Sequence, residues 1–370
     1  MNFSRLRAGL ILILLIAAMS LPLVAARQET IDDFVLDKAA YNAFLKGNYP
    51  LAEAYYREAL LKAEASDFSA ARRASLLGNL GHILMTEGRY KEAEDGFNRS
   101  LKLGETATVD PRVRAVVLVN LSVVYVRTNR LDRAESTLEE ALVLCRKHFG
   151  EGSAQTAAVL RQLGIVYAQT RRVKPAEKRL KEALAIAEKQ PATRPDELAA
   201  ILTSLASTYS MQKKWDDAEQ TFARAIEVSE RAYGPYHLSV ADALINLAEH
   251  NLLRRDFARA ENLFRRTLAI REELFGKDHV DTAITYSRLA IALGEQKRYD
   301  EAHKLFLIAL PILERTFGPE APEVAFSLEH FGRLLRQMQD TARAEQIEAR
   351  ARAIRDVHAF TISADQLRKR

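Results

Sequence analysis

Apolar positions along this chain recur with two nested periods. The short period is helical. Leu80, Leu121, Leu163, Leu205, Leu247, Leu289 and Phe331 each follow, by three residues, Leu77, Leu118, Leu160, Leu202, Leu244, Tyr286 or Leu328. A small residue comes one position later (Gly81, Ser122, Gly164, Ala206, Ala248, Ala290, Gly332), and Leu84, Tyr125, Tyr167, Tyr209, Asn251, Leu293 or Leu335 comes four later. Offsets of −3, 0, +1 and +4 form one stripe of a 3.6-residue helix. The small position lets a neighbouring helix approach closely. The long period is clearest in an alanine: Ala52, Ala93, Ala134, Ala176, Ala218, Ala260, Ala302 and Ala344, spaced 41, 41, 42, 42, 42, 42 and 42. Self-similarity at this period marks a solenoid.

The pattern breaks and restarts between the two markers, as at Glu87-Gly88-Arg89-Tyr90 and Gln296-Lys297-Arg298-Tyr299. A second helical stripe follows. Four residues after the alanine stand Tyr56, Phe97, Leu138, Leu180, Phe222, Phe264 and Phe306; seven after it stand Ala59, Ser100, Ala141, Ala183, Ala225, Thr267 and Ala309. Each unit therefore predicts two antiparallel helices joined by a short turn.

Leu-small-x-x-Tyr followed by Tyr-x-x-Ala-Glu, with Phe or Leu and then Ala at fixed offsets, resembles the tetratricopeptide repeat. The period exceeds that family's usual 34 residues and resembles the longer variant of kinesin light chains. Residues Leu268 to His279 are close to that variant's inter-repeat signature, although Val280 stands where it usually has proline. HEAT and armadillo repeats have similar periods but different marker columns. The resemblance covers roughly residues 38–358. It implies an all-α fold, a right-handed superhelical α-solenoid of about eight helix-turn-helix repeats. The solenoid is expected over 27–358, with units near 30–70, 71–111, 112–153, 154–195, 196–237, 238–279, 280–321 and 322–358. The last unit reads as a cap, with Glu348 and Arg352 where others are apolar. Residues 359–370 read as a polar basic tail.

Residues 1–26 read differently. Arg5 and Arg7 precede an apolar run from Ala8 to Met19, then Ser20, Pro22 and Val24-Ala25-Ala26. This is the n-region, h-region and small-residue cleavage pattern of a signal peptide. The expectation is an exported chain, periplasmic or secreted. The alternative is a membrane anchor formed by an uncleaved segment, the only membrane contact expected. The net charge of +5 drops to +3 when the two leader arginines are removed. No nucleic-acid motif accompanies it. The single cysteine, Cys145, excludes an internal disulfide and reads as a small core residue.

The stripe also fixes an open face. Offsets −5, −1, +2 and +6 point about 150–170° away from it, at 100° per residue. The resemblance implies that this face lines a concave groove. Its −1 column is polar throughout: Asn79, Asn120, Gln162, Ser204, Asn246, Arg288 and His330. Family members use asparagine here to hold a peptide backbone, which carries over most directly to Asn79, Asn120 and Asn246. Candidate peptide-binding residues are Asn79, Asn120, Gln162, Asn246, Arg288 and His330, with Arg127 from the +6 column. Val123, Ile165, Met211, Leu253 and Ile291 are apolar on the same face. They fit either a groove that takes apolar side chains or packing between helices of a tight superhelix.

Cations crowd the hairpin turns: Arg89, Arg130, Arg171, Arg172, Lys213, Lys214, Arg254, Arg255, Lys297 and Arg298. They fit either an anionic partner or surface or the negative end of each first helix. No His-x-x-x-His pair, phosphate loop or triad pattern occurs, and His237 and His279 repeat in equivalent loops. The chain therefore reads as a non-enzymatic scaffold with no cofactor and no metal, binding a protein or peptide partner. The alternative is an assembly subunit of a cell-envelope complex, acting through its convex face or ends.

Overall fold

The structure is a computed structural model that describes residues 31–45, 48–65, 69–106, 109–190 and 193–367. The expected leader, residues 1–26, lies outside the described residues. Every regular element among those described is a helix: α1 (Ile31–Leu45), α2 (Tyr49–Ala65), α3 (Ala70–Thr86), α4 (Tyr90–Thr106), α5 (Pro111–Arg127), α6 (Leu131–Phe149), α7 (Ala154–Gln169), α8 (Val173–Lys189), α9 (Pro195–Met211), α10 (Trp215–Tyr233), α11 (Leu238–Leu253), α12 (Phe257–Phe275), α13 (Val280–Glu295), α14 (Tyr299–Phe317), α15 (Pro322–Gln337) and α16 (Thr341–Leu367). Odd and even helices alternate as the first and second members of helix-turn-helix pairs. The chain divides into two compact units, one ending at Thr221 and the other starting at Phe222. The last helix runs through Leu367, into the stretch read as a tail.

Local chemistry sets the helix starts. Ser69 and Ser153 cap α3 and α7 by accepting the N–H of Arg72 and Thr156 at 3.3 and 3.1 Å. Asp110 accepts the Arg112 N–H at 2.8 Å, and Pro111 sits where no N–H is needed. The repeated loop histidines have this role too. His237 and His279 accept the N–H of Ser239 and Asp281 through Nδ1, each at 3.2 Å. Their rings stack on Tyr233 and Phe275.

The hairpin turns share one geometry. Gly88, Asn129, Arg171, Lys213, Arg255, Lys297 and Gln339 all have φ between 56° and 79°. The residue after each donates its N–H to a carbonyl five residues back, as in Arg89 to Leu84 (2.9 Å) and Arg298 to Leu293 (3.0 Å). This is the Schellman closure of a helix C-terminus. Glycine takes that conformation without steric penalty, and among these seven turns only the one at Gly88 uses it.

The marker alanines Ala52, Ala93, Ala134, Ala176, Ala218, Ala260, Ala302 and Ala344 are all 0% exposed. Close approach within a pair is visible at the small column. A Cβ on Gly81 would lie 2.8 Å from Phe97, and one on Gly164 would lie 2.5 Å from Leu180. In the last pair Glu348 takes the place of that Phe or Leu. Its Cγ would meet a Cβ on Gly332 at 2.6 Å, and its carboxylate is held by Arg336 in two 2.7 Å hydrogen bonds.

First helices are buried on more than the predicted stripe. Leu76, Val117, Val159 and Ile201 at offset −4 are buried, as are Ile83, Val124 and Val166 at +3. These faces meet the neighbouring hairpins. Second helices bury a single face: in α6 only Ala134, Leu138, Ala141, Leu142 and Cys145 are buried. Solvent therefore reaches a first helix mainly along the arc at −5, −1, +2 and +6.

Candidate binding face

That arc is the candidate site, and the two units furnish it differently. In the N-terminal unit Asn79, Gln162 and Ser204 are half-buried, Ser204 donating to the Ala200 carbonyl at 2.8 Å. Asn120 is buried, at 4% exposed, so its amide faces protein rather than solvent. Arg127 is exposed and has no ion-pair partner among the described residues. Val123 packs partly on the core, whereas Met211 is exposed. Outside these four offsets, Arg161 of α7 and Glu197 of α9 attract one another. Burial raises the Glu197 pKa against the pull of Arg161, and burial lowers that of Arg161 against the pull of Glu197.

The C-terminal unit carries charge and rings on the same arc. On α11, Asn246 donates Nδ2–H to the Asp242 carbonyl at 2.7 Å. The Asp242 carboxylate accepts from the Arg271 Nη2 at 3.1 Å. Arg271 is itself 6% exposed and also donates to the Asp281 carbonyl and the Thr285 hydroxyl. Dense protein around Asp242 raises its pKa despite Arg271. Glu249 pairs with the Arg288 Nε at 3.1 Å. The Arg288 guanidinium lies 4.1 Å from the Phe326 ring centre, and Phe326 lies 4.6 Å from His330. Burial, aided by Arg333 and Arg288, pulls the His330 pKa down to about 4. Leu253 is exposed, and Ile291 packs partly on the core.

Of the candidate residues, the structure thus connects Arg288 with His330 through Phe326. It leaves Asn79, Gln162 and Arg127 on an accessible face and withdraws Asn120 from it. The sequence reading named the −5 column only as an offset, and so missed Asp242 and Phe326. The signal was present: Phe326 stands four residues before His330, on the same helical face.

Nine of the ten turn cations fall into two sets. Arg89, Arg130, Lys214 and Arg298 bond to Glu53, Glu94, Glu177 and Glu261 at 2.6, 2.6, 3.1 and 2.7 Å, and Arg172 bonds to Glu135. Each acid follows the marker alanine of the preceding hairpin, so these pairs staple one repeat to the next. Arg130 and Arg172 also lie over Tyr125 and Tyr167, at 4.7 and 4.5 Å from the ring centres. At Glu177 burial disfavours the charged form, but hydrogen bonds from Lys181, Gln212 and Lys214 outweigh it and hold the pKa at about 2. The other set, Arg171, Lys213, Arg255 and Lys297, occupies the left-handed turn positions and is exposed. Among the described residues, no group of three or more His, Cys, Asp or Glu is arranged to hold a metal, and no helix is long and apolar enough to cross a membrane.

The Tetratricopeptide repeat family profile matches residues 72–147, 113–189, 197–273, 246–314 and 281–356. No curated protein matches the chain. Among solved structures, the apo form of the quorum sensor NprR from B. thuringiensis is similar at 13% identity, over 93% of this chain and 91% of that one, with a TM-score of 0.64. A Rap protein complexed with Competence and Sporulation Factor is similar at 14% identity, over 89% and 98%, with a TM-score of 0.58. BtubC (BKLC) from P. vanneervenii is similar at 23% identity, over 63% and 92%, with a TM-score of 0.51. At these identities the likeness speaks to the fold alone. The profile matches and the paired helices beneath them agree: the chain belongs to the tetratricopeptide repeat family.

Proposed function

We propose that this protein is an exported, non-catalytic scaffold that holds a peptide, or an extended segment of a partner protein, along the open face of its first helices. The observation that carries the reading is the accessible arc itself. It alternates amides with apolar side chains, Asn79 and Gln162 with Ile165 and Met211, on helices that are otherwise buried. Amides suit a peptide backbone and apolar positions suit its side chains. A fold of the same kind is found complexed with Competence and Sporulation Factor in the Rap protein. Export rests on the leader pattern of residues 1–26.

The test replaces the accessible amides. A double alanine variant at Asn79 and Gln162 should keep the helical signal of the parent and lose at least about tenfold in capture on a peptide array, equivalent to about 1.4 kcal/mol. Capture at the parental level would reject the groove reading.

A second reading, an assembly subunit of a cell-envelope complex, has one observation in its favour. Leu307 and Ile308 on α14 are 48% and 46% exposed. Other hairpins place Arg57-Glu58, Glu139-Glu140, Lys181-Glu182 or Arg265-Arg266 there. If this surface holds the partner, Leu307→Glu with Ile308→Lys abolishes co-purification and the amide variant does not.

A further inference from the structure

A histidine fills an apolar slot between the first two hairpins. His82 lies on α3, two residues after the stripe leucine, and is 5% exposed. The next two hairpins place Val123 and Ile165 at the same position. The His82 ring meets Phe44 of α1, with centroids 5.4 Å apart, and Phe44 in turn meets Tyr49 at the start of α2, at 5.5 Å. Neither Nδ1 nor Nε2 of His82 has a hydrogen-bond partner, and both are sealed from solvent. Burial alone pulls the His82 pKa down, to about 4.

The titratable groups of the flanking elements do not engage this ring. On α1, Asp37 pairs with Arg72 at 2.6 Å, Lys38 is exposed, and Tyr41 packs on the core. Arg72 stands ten residues before His82 on α3, about 15 Å along the helix. On α2, Tyr49 packs against Phe44, and Glu53 is bound by Arg57 and Arg89. At the turn into α4, Glu87 and Glu92 are bound by Arg89. The ring therefore has apolar contact on its open side and no counter-ion.

We propose that His82 is an acid-sensitive latch that holds the first hairpin, α1 and α2, on the second. Among the described residues the first hairpin packs on one neighbouring hairpin, so it can lift without unfolding the rest. Lifting α1 from α3 hydrates the imidazole and restores its ordinary basicity near 6.5. A proton taken up there has no partner in the apolar slot, and the ring must lose it to dock again. The folded value lies below the free one. Docking is therefore fully favoured above about pH 6.5 and weakens down to about pH 4. At pH 5 the ratio of lifted to docked hairpin should stand about 30-fold above its value at neutral pH.

Hydrogen exchange on the full chain, corrected for the pH dependence of the intrinsic rate, tests this. Protection over residues 31–65 should fall about 30-fold from pH 7.5 to pH 5, while that over residues 154–189 holds. Although burial opposes it, the stapling carboxylates Glu53, Glu177 and Glu261 are held below the ordinary carboxylate range by their cationic partners, outside this window. His82→Val, which copies the next hairpin, should remove the fall; His82→Gln, polar but without a proton to gain, should do the same if the valine variant misfolds. In the parent chain, NMR should show a docked His82 that is still neutral at pH 5. The same fall in both variants, protection lost evenly along the chain, or a His82 that titrates near 6.5 while residues 31–65 stay protected would each overturn the latch.

Discussion

The open faces of the two units have the same backbone geometry and opposite chemistry. In the N-terminal unit the arc offers the amides of Asn79 and Gln162 and apolar side chains, and Arg127 stands on it without an ion pair among the described residues. In the C-terminal unit the arc is a relay of charges and rings, Asp242 with Arg271 and Glu249 with Arg288, Phe326 and His330, already engaged with one another. A ligand on the first face replaces water. A ligand on the second must also exchange with intramolecular partners. Affinity depends on what a group gives up as well as on what it gains. On the proposed groove reading, the N-terminal face would therefore be the better starting surface for an uncharged peptide backbone, and the C-terminal face the more selective one.

One scaffold lies beneath both faces, and its core packing should show the largest effect. Phe306 and Leu138 occupy the same position, four residues after a marker alanine, in different units, and are 1% and 0% exposed. Phe306→Ala should cost about 3–5 kcal/mol and Leu138→Ala about 2–5 kcal/mol. Denaturant unfolding followed by helical signal reads both. If one substitution is silent, the units are not built alike.

Next in size is the inter-repeat staple. The Glu177 pKa is depressed to about 2, below an ordinary value near 4.5. The stabilisation is therefore complete above about pH 4.5 and lost as the pH falls towards 2. Its size is on the order of 1–3 kcal/mol, since Glu177 is mostly buried while its lysine partners are partly solvated. Glu177→Gln should flatten the acid limb of a stability-versus-pH curve in that range. An unchanged limb would show that Lys181 and Lys214 do not hold the carboxylate in solution.

The smallest effect probes the relay itself. A double-mutant cycle between Glu249→Gln and Arg288→Gln should give a coupling of about 0.2–1 kcal/mol, as expected for a partly exposed pair, and it should shrink with added salt. Zero coupling at low salt would mean that the C-terminal face is as unengaged as the N-terminal one, and the contrast between the units would vanish.

Much of the fold was legible because repetition averages out the ambiguity of any single segment. A lone Leu-Gly-x-x-Tyr says little, but the same offsets recurring every 41 or 42 residues fix the helices, the turns and the crossing alanines. The open arc was legible for the same reason, since the helical period determines which offsets share a face. Individual members of that arc were not. Asn120 and Asn79 occupy equivalent columns, yet one is buried and the other half-buried. That difference comes from packing with neighbouring hairpins, which the column does not encode.

The sequence alone determined the paired helices, the lattice of alanines and small residues at their crossings, and the polar character of the −1 column. These follow from local periodicity and side-chain size. Only the tertiary structure decided which charges meet. Glu53, Glu94, Glu135, Glu177 and Glu261, each next to a marker alanine, reach the next hairpin's turn cation, His82 enters an apolar slot opposite Phe44, and Arg288 lies between Glu249 and Phe326. Such pairings depend on how one repeat is set against the next, and that register is a property of packed surfaces rather than of any segment read by itself.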